Sequence, residues 1–397
     1  MANTKSQNHT EQASASYRFV SASQQMQTLR PVRSFAVRTG FDTLDKMLDG
    51  GVKDGITVLG AMPGLGKTTF VLQLAYNVAA KGTPVLFFSL EMTAFTLIAK
   101  SITRECFLER RYTPDQQDKT LTAIELMSSE QVLSFFSSDG GAPAELPAGI
   151  GAKDAEVYRT VAQTMRRVMK NLYIIDKNDQ KKQNAGKANA AFTAADIAEI
   201  TEAFIGSHCT DSSGTAEGLY RRKPLVIVDY LQILDRKKGE ILTDKQAVEA
   251  SFKELEALSK QGVPVILISS INRGSYETDS RGRRKSSLSM NSFKETGLIE
   301  YSADTLLAID FVNKNASPEE EKAKDPREIS IEILKQRMGA ASGSVQFYYY
   351  PKYDAFVDSR SAGRVPSRSA KASRADQTEK SDPERERFMK LDIKSYP

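Results

Sequence analysis

The sequence predicts an α/β protein: a mainly parallel, twisted sheet flanked by helices, with antiparallel strands at its C-terminal edge. Three observations predict it. The first is Gly60-Ala61-Met62-Pro63-Gly64-Leu65-Gly66-Lys67-Thr68-Thr69, a glycine-rich turn between an apolar run (Ile56–Leu59) and a helical stretch (Phe70–Ala79). The second is a series of short apolar runs alternating with amphipathic stretches, the pattern of βα units around a parallel sheet. The third is that two of those runs end in a carboxylate, Ser89-Leu90-Glu91 and Val226-Ile227-Val228-Asp229. The C-terminal ends of parallel strands are where such sheets bind ligands.

Composition excludes several classes. The 397 residues are 40% hydrophobic and 26% charged, a globular balance with room for one large domain or two. Net charge is +5, which suits a polyanionic partner without requiring one. Cys106 and Cys209 stand far apart, so neither a disulfide framework nor a zinc site is expected, and a reducing, cytoplasmic setting is. His9 and His208 are the only histidines, which argues against histidine chemistry. No apolar run approaches the roughly 20 residues that a membrane helix needs, and no secretion signal opens the chain.

Residues 1–38 are rich in Ser, Gln and Thr and read as a flexible arm, with a short helix near Tyr17–Leu29. In Thr39–Gly51, Phe41, Leu44, Met47 and Leu48 fall at helical spacing before a Gly50-Gly51 stop. The glycine-rich turn follows. Its glycines let backbone N–H groups curl around an anion, and the helix N-terminus adds its positive dipole end. Lys67 is positioned for the β- and γ-phosphates of ATP, and the Thr68 hydroxyl for Mg²⁺. Ala61 stands where the common pattern has glycine, with Gly60 beside it.

The run Val85–Phe88 delivers Glu91 to the ligand edge, where a carboxylate can polarise the water that attacks the γ-phosphate. The other reading is a capping acid for the helix expected at Thr93–Cys106. From about 108 to 165 the pattern loosens, and an insertion is expected at about 130–160. A helix at Val161–Met169, a strand at Leu172–Asp176, a polar tract at Lys177–Asn189 and a helix at Ala194–Ile205 follow. Asp229, closing a buried run downstream of a phosphate loop, reads as the acid that holds Mg²⁺ indirectly. Asp244–Lys260 is an amphipathic helix, and Val263–Ser270 a buried strand. The next loop carries Arg281-Gly282-Arg283-Arg284-Lys285 with no acid, either a nucleic-acid backbone contact or a solvated loop. Strands at Thr305–Ile309, Ile329–Leu334, Val345–Tyr350 and Ala355–Val357 end the sheet. Residues 358–397 read as a disordered tail.

Several of these pieces belong together: Thr39–Asp45, Gly66-Lys67-Thr68, Ser89-Leu90-Glu91-Met92, Asp229-Tyr230-Leu231-Gln232, Asn272-Arg273 and Lys335-Gln336-Arg337-Met338-Gly339. In this order and spacing, residues 39–357 resemble the RecA-like C-terminal motor domain of the DnaB family of replicative DNA helicases, a P-loop NTPase fold. The resemblance implies a homohexameric ring that translocates on single-stranded DNA and unwinds duplex using ATP and Mg²⁺. It implies Lys67, Thr68 and Asp229 as nucleotide and metal residues and Glu91 as the catalytic carboxylate. Lys335 and Arg337 are implied as cations offered to a neighbouring subunit's γ-phosphate, and Arg273 with Arg281–Lys285 as DNA contacts. The alternative for Lys335 and Arg337 is an exposed hairpin.

Three departures from the family pattern stand out. Only about 38 residues precede the motor segment, which is similar to motor-only helicases of mobile elements and leaves a primase or loader partner unassigned. Ser270 stands where the family carries a glutamine that senses the γ-phosphate. The insertion and tail match nothing in the family pattern. These departures keep a second reading open, a nucleotide-gated DNA-binding or loader-like ring with little turnover.

Overall fold

The computed structural model describes residues 36–110, 120–137, 152–177, 192–209, 223–236, 241–279, 288–293, 297–339 and 343–360. The chain divides into Met1–Phe35 and Ala36–Pro397, and all described residues belong to the second unit. The expected N-terminal arm, polar tract, basic loop and tail therefore fall wholly or mostly outside them.

In chain order the helices are α1 (Asp42–Met47), α2 (Lys67–Ala80), α3 (Ala94–Arg110), α4 (Ala123–Met127), α5 (Glu130–Ser137), α6 (Ala152–Met169), α7 (Ala194–Phe204), α8 (Asp244–Ser259), α9 (Gly297–Ser302) and α10 (Pro318–Ala323). The strands are β1 (Gly55–Ala61), β2 (Val85–Ser89), β3 (Leu172–Asp176), β4 (Leu225–Asp229), β5 (Pro264–Ser270), β6 (Thr305–Phe311), β7 (Arg327–Gln336), β8 (Ser344–Tyr350) and β9 (Ala355–Asp358). One sheet holds all nine, in the order β3-β2-β4-β5-β1-β6-β7-β8-β9. From β3 to β6 every pairing is parallel, and from β6 to β9 every pairing is antiparallel.

The central strands are apolar runs because both sheet faces are covered. β1, β2, β4 and β5 are buried almost throughout, and their alternate residues feed two separate apolar clusters. Thus Leu59, Phe87, Ile227 and Ile268 face one layer, while Val58, Phe88, Val228 and Leu267 face the other.

The glycine-containing segment before β1 packs on the helix that follows it. Asp45 is buried and accepts hydrogen bonds from Thr39 N (2.6 Å) and Thr39 Oγ1 (2.7 Å). Gly40 has φ +87°, and a Cβ there would lie 2.5 Å from Asn77 Cβ on α2. Phe41 stacks on Phe70 of α2 at 5.2 Å between centroids. The C-terminal hairpin clamps the same helix: Gln73 Nε2 donates to Phe356 O, and Phe356 N donates to Gln73 Oε1. α2 is therefore held at both flanks, which fixes where its N-terminus points.

Three helical regions differ from expectation. α6 begins at Ala152 rather than near Val161. Its buried positions include Ala155, Tyr158, Ala162 and Met165, a stripe in which alanines and a tyrosine replace larger aliphatics. α4 and α5 occupy a stretch whose apolar pattern is irregular. α4 opens with a capping box, Thr122 accepting from Glu125 N while the Glu125 carboxylate accepts from Thr122 N. α10 lies where the sequence pattern predicts no element, and it too starts with a capping box, from Ser317 and Glu320. Among the described residues, no helix is long and apolar enough to cross a membrane.

Candidate active site

β1 ends at Ala61, and the loop to α2 turns through Gly64 (φ +85°) and Gly66 (φ +81°), conformations that suit glycine. The two positions are constrained differently. A Cβ on Gly66 would meet the Tyr349 ring at 2.8 Å, so β8 presses against the base of the loop. Arg327 Nη1 donates to Gly64 O at 2.9 Å, tying β7 to the loop's tip. Ala61, the departure from the common pattern, is fully buried, and its carbonyl accepts a 2.9 Å hydrogen bond from Lys67 Nζ.

Lys67 is the first residue of α2. A cation at a helix's positive end gains nothing from the helix dipole, so folding does not account for its placement. Burial pushes its pKa down, while Asp229 and Glu91 push it back up. The three groups thus lie within electrostatic reach of one another. Asp229 ends β4, two strands from β1 in the sheet order, and is almost fully buried. Its carboxyl is pushed up to about 6 by burial, with Glu91 adding to the rise; a hydrogen bond from Thr68 and the charge of Lys67 oppose it. Asp229 Oδ2 is buried with no hydrogen-bond partner.

An orphaned carboxylate oxygen beside a threonine hydroxyl is the donor set a magnesium ion takes. Asp229 and Thr68 therefore fit Mg²⁺, and the loop's turned backbone fits phosphate. A pH dependence follows. Because the folded carboxyl has a raised pKa, the folded state holds its proton more tightly than the unfolded chain does. Its burial cost is absent at low pH and grows as pH rises from near 4 to about 6, so the nucleotide-free protein should lose stability over that window. Mg-nucleotide binding, which requires the charged form, should strengthen across the same window and release a proton below pH 6. Calorimetry in two buffers of different ionisation heat measures that proton. Asp229→Asn should abolish both dependences.

Glu91 follows β2 and is exposed at the ligand edge. The helix it could cap is capped by other residues. Thr93 Oγ1 accepts from Thr96 N, and Asp176 Oδ2, from the end of β3, accepts from Ala94 N at 2.7 Å. Glu91 lies within electrostatic reach of both Lys67 and Asp229.

Lys335 and Arg337 lie elsewhere. Lys335 is level with the middle of β1, opposite Leu306 and through it Val58, and Gln336, the last residue of β7, is level with Thr57. Arg337 N then donates to Asp304 O, so the chain leaves β7 toward the N-terminal end of β1. Lys335 Nζ donates to Glu300 O (2.7 Å) and Tyr301 O (2.8 Å), capping the carbonyl end of α9. Arg337 Nη1 donates to Asp304 Oδ1 at 2.9 Å, and Nη2 to Tyr301 O at 3.1 Å. Asp304 in turn accepts from Ile56 N through Oδ2 and donates its own N–H to Ile56 O. Ile56 precedes Ala61 by five residues, an offset of about 16 Å along the strands. The structure thus brings Lys67, Thr68, Glu91 and Asp229 together at one sheet edge and puts Lys335 and Arg337 toward the other.

Arg273 opens a short 3-10 turn after β5, whereas Arg281, Arg283, Arg284 and Lys285 lie outside the described residues. Two residues near these groups carry no local signal in the sequence. Arg327 reaches Gly64 from 263 residues away, and Asp304 anchors Arg337. Both contacts arise only from sheet pairing.

A family model described as DnaB-like helicase C terminal domain matches residues 36–137 and 153–358. The chain is 25% identical over 333 residues to the replicative DNA helicase DnaB of Geobacillus stearothermophilus, covering 81% of this chain and 56% of that protein. It is 28% identical over 333 residues to the replicative DNA helicase DnaB of Pasteurella multocida, covering 81% and 55%. The chain spans about half the length of these curated relatives. Among solved structures, the ATPase domain of G40P aligns with a TM-score of 0.58 at 18% identity, covering 85% of this chain and 95% of that one. A DnaB-like replicative helicase, described with its interactions with primase, aligns with a TM-score of 0.58 at 18% identity, covering 84% and 66%. At that identity these likenesses establish the fold.

Proposed function

Because the chain belongs to the DnaB-like helicase C-terminal domain family, we propose that it is the ATP-driven motor of a DnaB-type replicative helicase, working as a ring on single-stranded DNA. The observation that carries the reading is the divided site. The C-terminal ends of the parallel strands gather Lys67, Thr68, Glu91 and Asp229, whereas Lys335 and Arg337 are bonded to Glu300, Tyr301 and Asp304 toward the other ends. Head-to-tail packing of copies puts the second group of one subunit against the first group of the next, the heterologous contact that closes rings.

In this reading the loop backbone and Lys67 hold the β- and γ-phosphates of ATP. Glu91 orients and deprotonates the attacking water, and Asp229 with Thr68 holds Mg²⁺. When bound, Mg²⁺ neutralises charge on the phosphate oxygens. Arg337 and Lys335 of the neighbour stabilise charge on the transferring phosphoryl group, which ties turnover to assembly.

The testing experiment is ATP turnover by purified protein with and without single-stranded DNA. Strong stimulation by the strand is expected. ATP binding without turnover in either condition would overturn the motor reading in favour of a nucleotide-gated ring, the reading that Ser270 motivates. A further prediction concerns Arg281, Arg283, Arg284 and Lys285. Changing all four to Gln should weaken binding to every sequence alike and lower the salt slope by about 0.7 for each phosphate that is no longer neutralised. Fluorescence anisotropy across a salt series measures this, and weakened binding to one sequence alone would contradict it.

A further inference from the structure

The strand end that carries Asp229 and the end of β5 are linked by one side chain, Gln232. Two residues after Asp229, the chain begins a 3-10 turn, Leu231–Ile233. Leu231 is buried in the core and pins the turn. The neighbouring Gln232 side chain spans to the end of β5. Its Nε2 donates to Ser269 Oγ at 2.8 Å, and its Oε1 accepts from Ser270 N at 3.4 Å. The Ser269 hydroxyl donates its own proton to Ser270 O at 3.3 Å, so its lone pair faces Gln232. Ser269 is fully buried, and no water competes for that lone pair.

Both serines sit in the sheet beside the start of the phosphate loop, Ser269 opposite Gly60 and Ser270 opposite Ala61. The chain beyond them is gathered into a neck. Ile271 forms an antiparallel bridge with Phe293, and Asn272 N donates to Ser292 O at 2.8 Å. Phe293 and Ile271 also pack onto Gly60. A Cβ there would lie 2.6 Å from Phe293 Cε1 and 2.9 Å from Ile271 Cγ1. The neck therefore touches the phosphate-loop strand on one side. On the other, Gln232 links it to the strand that carries Asp229.

We propose that Gln232 is a positioning residue that couples the state of the nucleotide site to the exit of β5, and through it to the affinity for single-stranded DNA. The proposal rests on the motor reading above. A shift of the β4 end is transmitted through a side chain bonded to both Ser269 and Ser270, just before the neck. Without that side chain the hydrogen-bonded link from the turn after β4 to Ser269 and Ser270 is lost.

The test compares affinities for a fluorescent oligothymidylate with a non-hydrolysable ATP analogue and with ADP. The quantity read is the ratio of the two for each variant. Because both states are measured on one preparation, a general loss of folded protein cancels. For the unaltered protein a ratio of about ten is expected, and for Gln232→Ala a ratio near one, within the usual range of site–site coupling. Ser269→Ala removes one of the two bonds with little change of volume and should give an intermediate ratio. The double variant should be no worse than Gln232→Ala alone, since both substitutions cut the same link.

A Gln232→Ala ratio equal to that of the unaltered protein overturns the inference and leaves the motor reading standing. If Gln232→Ala does not fold, an unchanged ratio in Ser269→Ala overturns it. An unaltered protein whose DNA affinity ignores nucleotide would instead overturn the motor reading, and this inference with it.

Discussion

Lys67→Ala should keep its fold and lose ATP turnover by about a thousandfold or more, the scale on which removal of one preorganised charge-stabilising group is felt. The expectation of an intact fold is physical. Lys67 occupies the first turn of α2, where a positive charge opposes the helix dipole and alanine is a better helix former. Its hydrogen bond in the structure goes to Ala61 O, which lies next to the turned loop. The cost to stability should stay within about 1 kcal/mol. The loss is chemical. Asp229 and Glu91 both act on Lys67 electrostatically, and without the ammonium two carboxylates face an incoming polyphosphate. Phosphate-release kinetics with a matched melting curve checks both halves. Turnover within a few-fold of the unaltered protein would refute the assignment.

Arg337→Ala should spare ATP binding and reduce turnover about 10³- to 10⁵-fold, the effect of withdrawing an arginine supplied across an interface. In the structure Arg337 is half-exposed and paired with Asp304, which is itself one-third exposed. Exposed pairs of this kind contribute about 0.2–1 kcal/mol, too little to imprison the guanidinium. Exchanging Asp304 and the α9 carbonyls for a phosphoryl group is thus energetically open. Arg337→Lys should recover little, because an ammonium cannot make the forked contact. Equilibrium binding of a fluorescent ATP analogue, set beside steady-state turnover, separates the two effects. A variant that loses binding and turnover in equal measure would mark Arg337 as a structural residue of the hairpin.

The central strands are legible in the sequence because burial on both faces leaves a run of β-branched and aromatic residues that no helix period explains. The phosphate loop is legible because its chemistry is local: glycines, lysine and threonine act within one turn. Glu91 is ambiguous for the opposite reason. Whether it caps α3 depends on Asp176, whose carboxylate accepts from Ala94 N 82 residues earlier. α4 and α5 are obscured because each is too short to establish a period, although Thr122 and Glu125 carry a cap signature. The early turns of α6 bury Ala155 and Tyr158, residue types that mark a core stripe weakly. Gln232 stands in a recognised motif, but nothing in its neighbours along the chain says that β5 ends beside it.

The register that seats Lys335 opposite Leu306 and Leu306 opposite Val58 has a genetic consequence. In the proposed ring, each junction draws Lys67 from one polypeptide and Arg337 with Lys335 from the next. Two crippled alleles, one lacking Lys67 and one lacking Arg337, are then damaged on opposite faces. Co-assembled in equal amounts, they should form about a quarter of their junctions from the sound faces of both. Activity would reappear from two inactive preparations, greatest at equal dose, and within each circle the order of the subunits would decide how much.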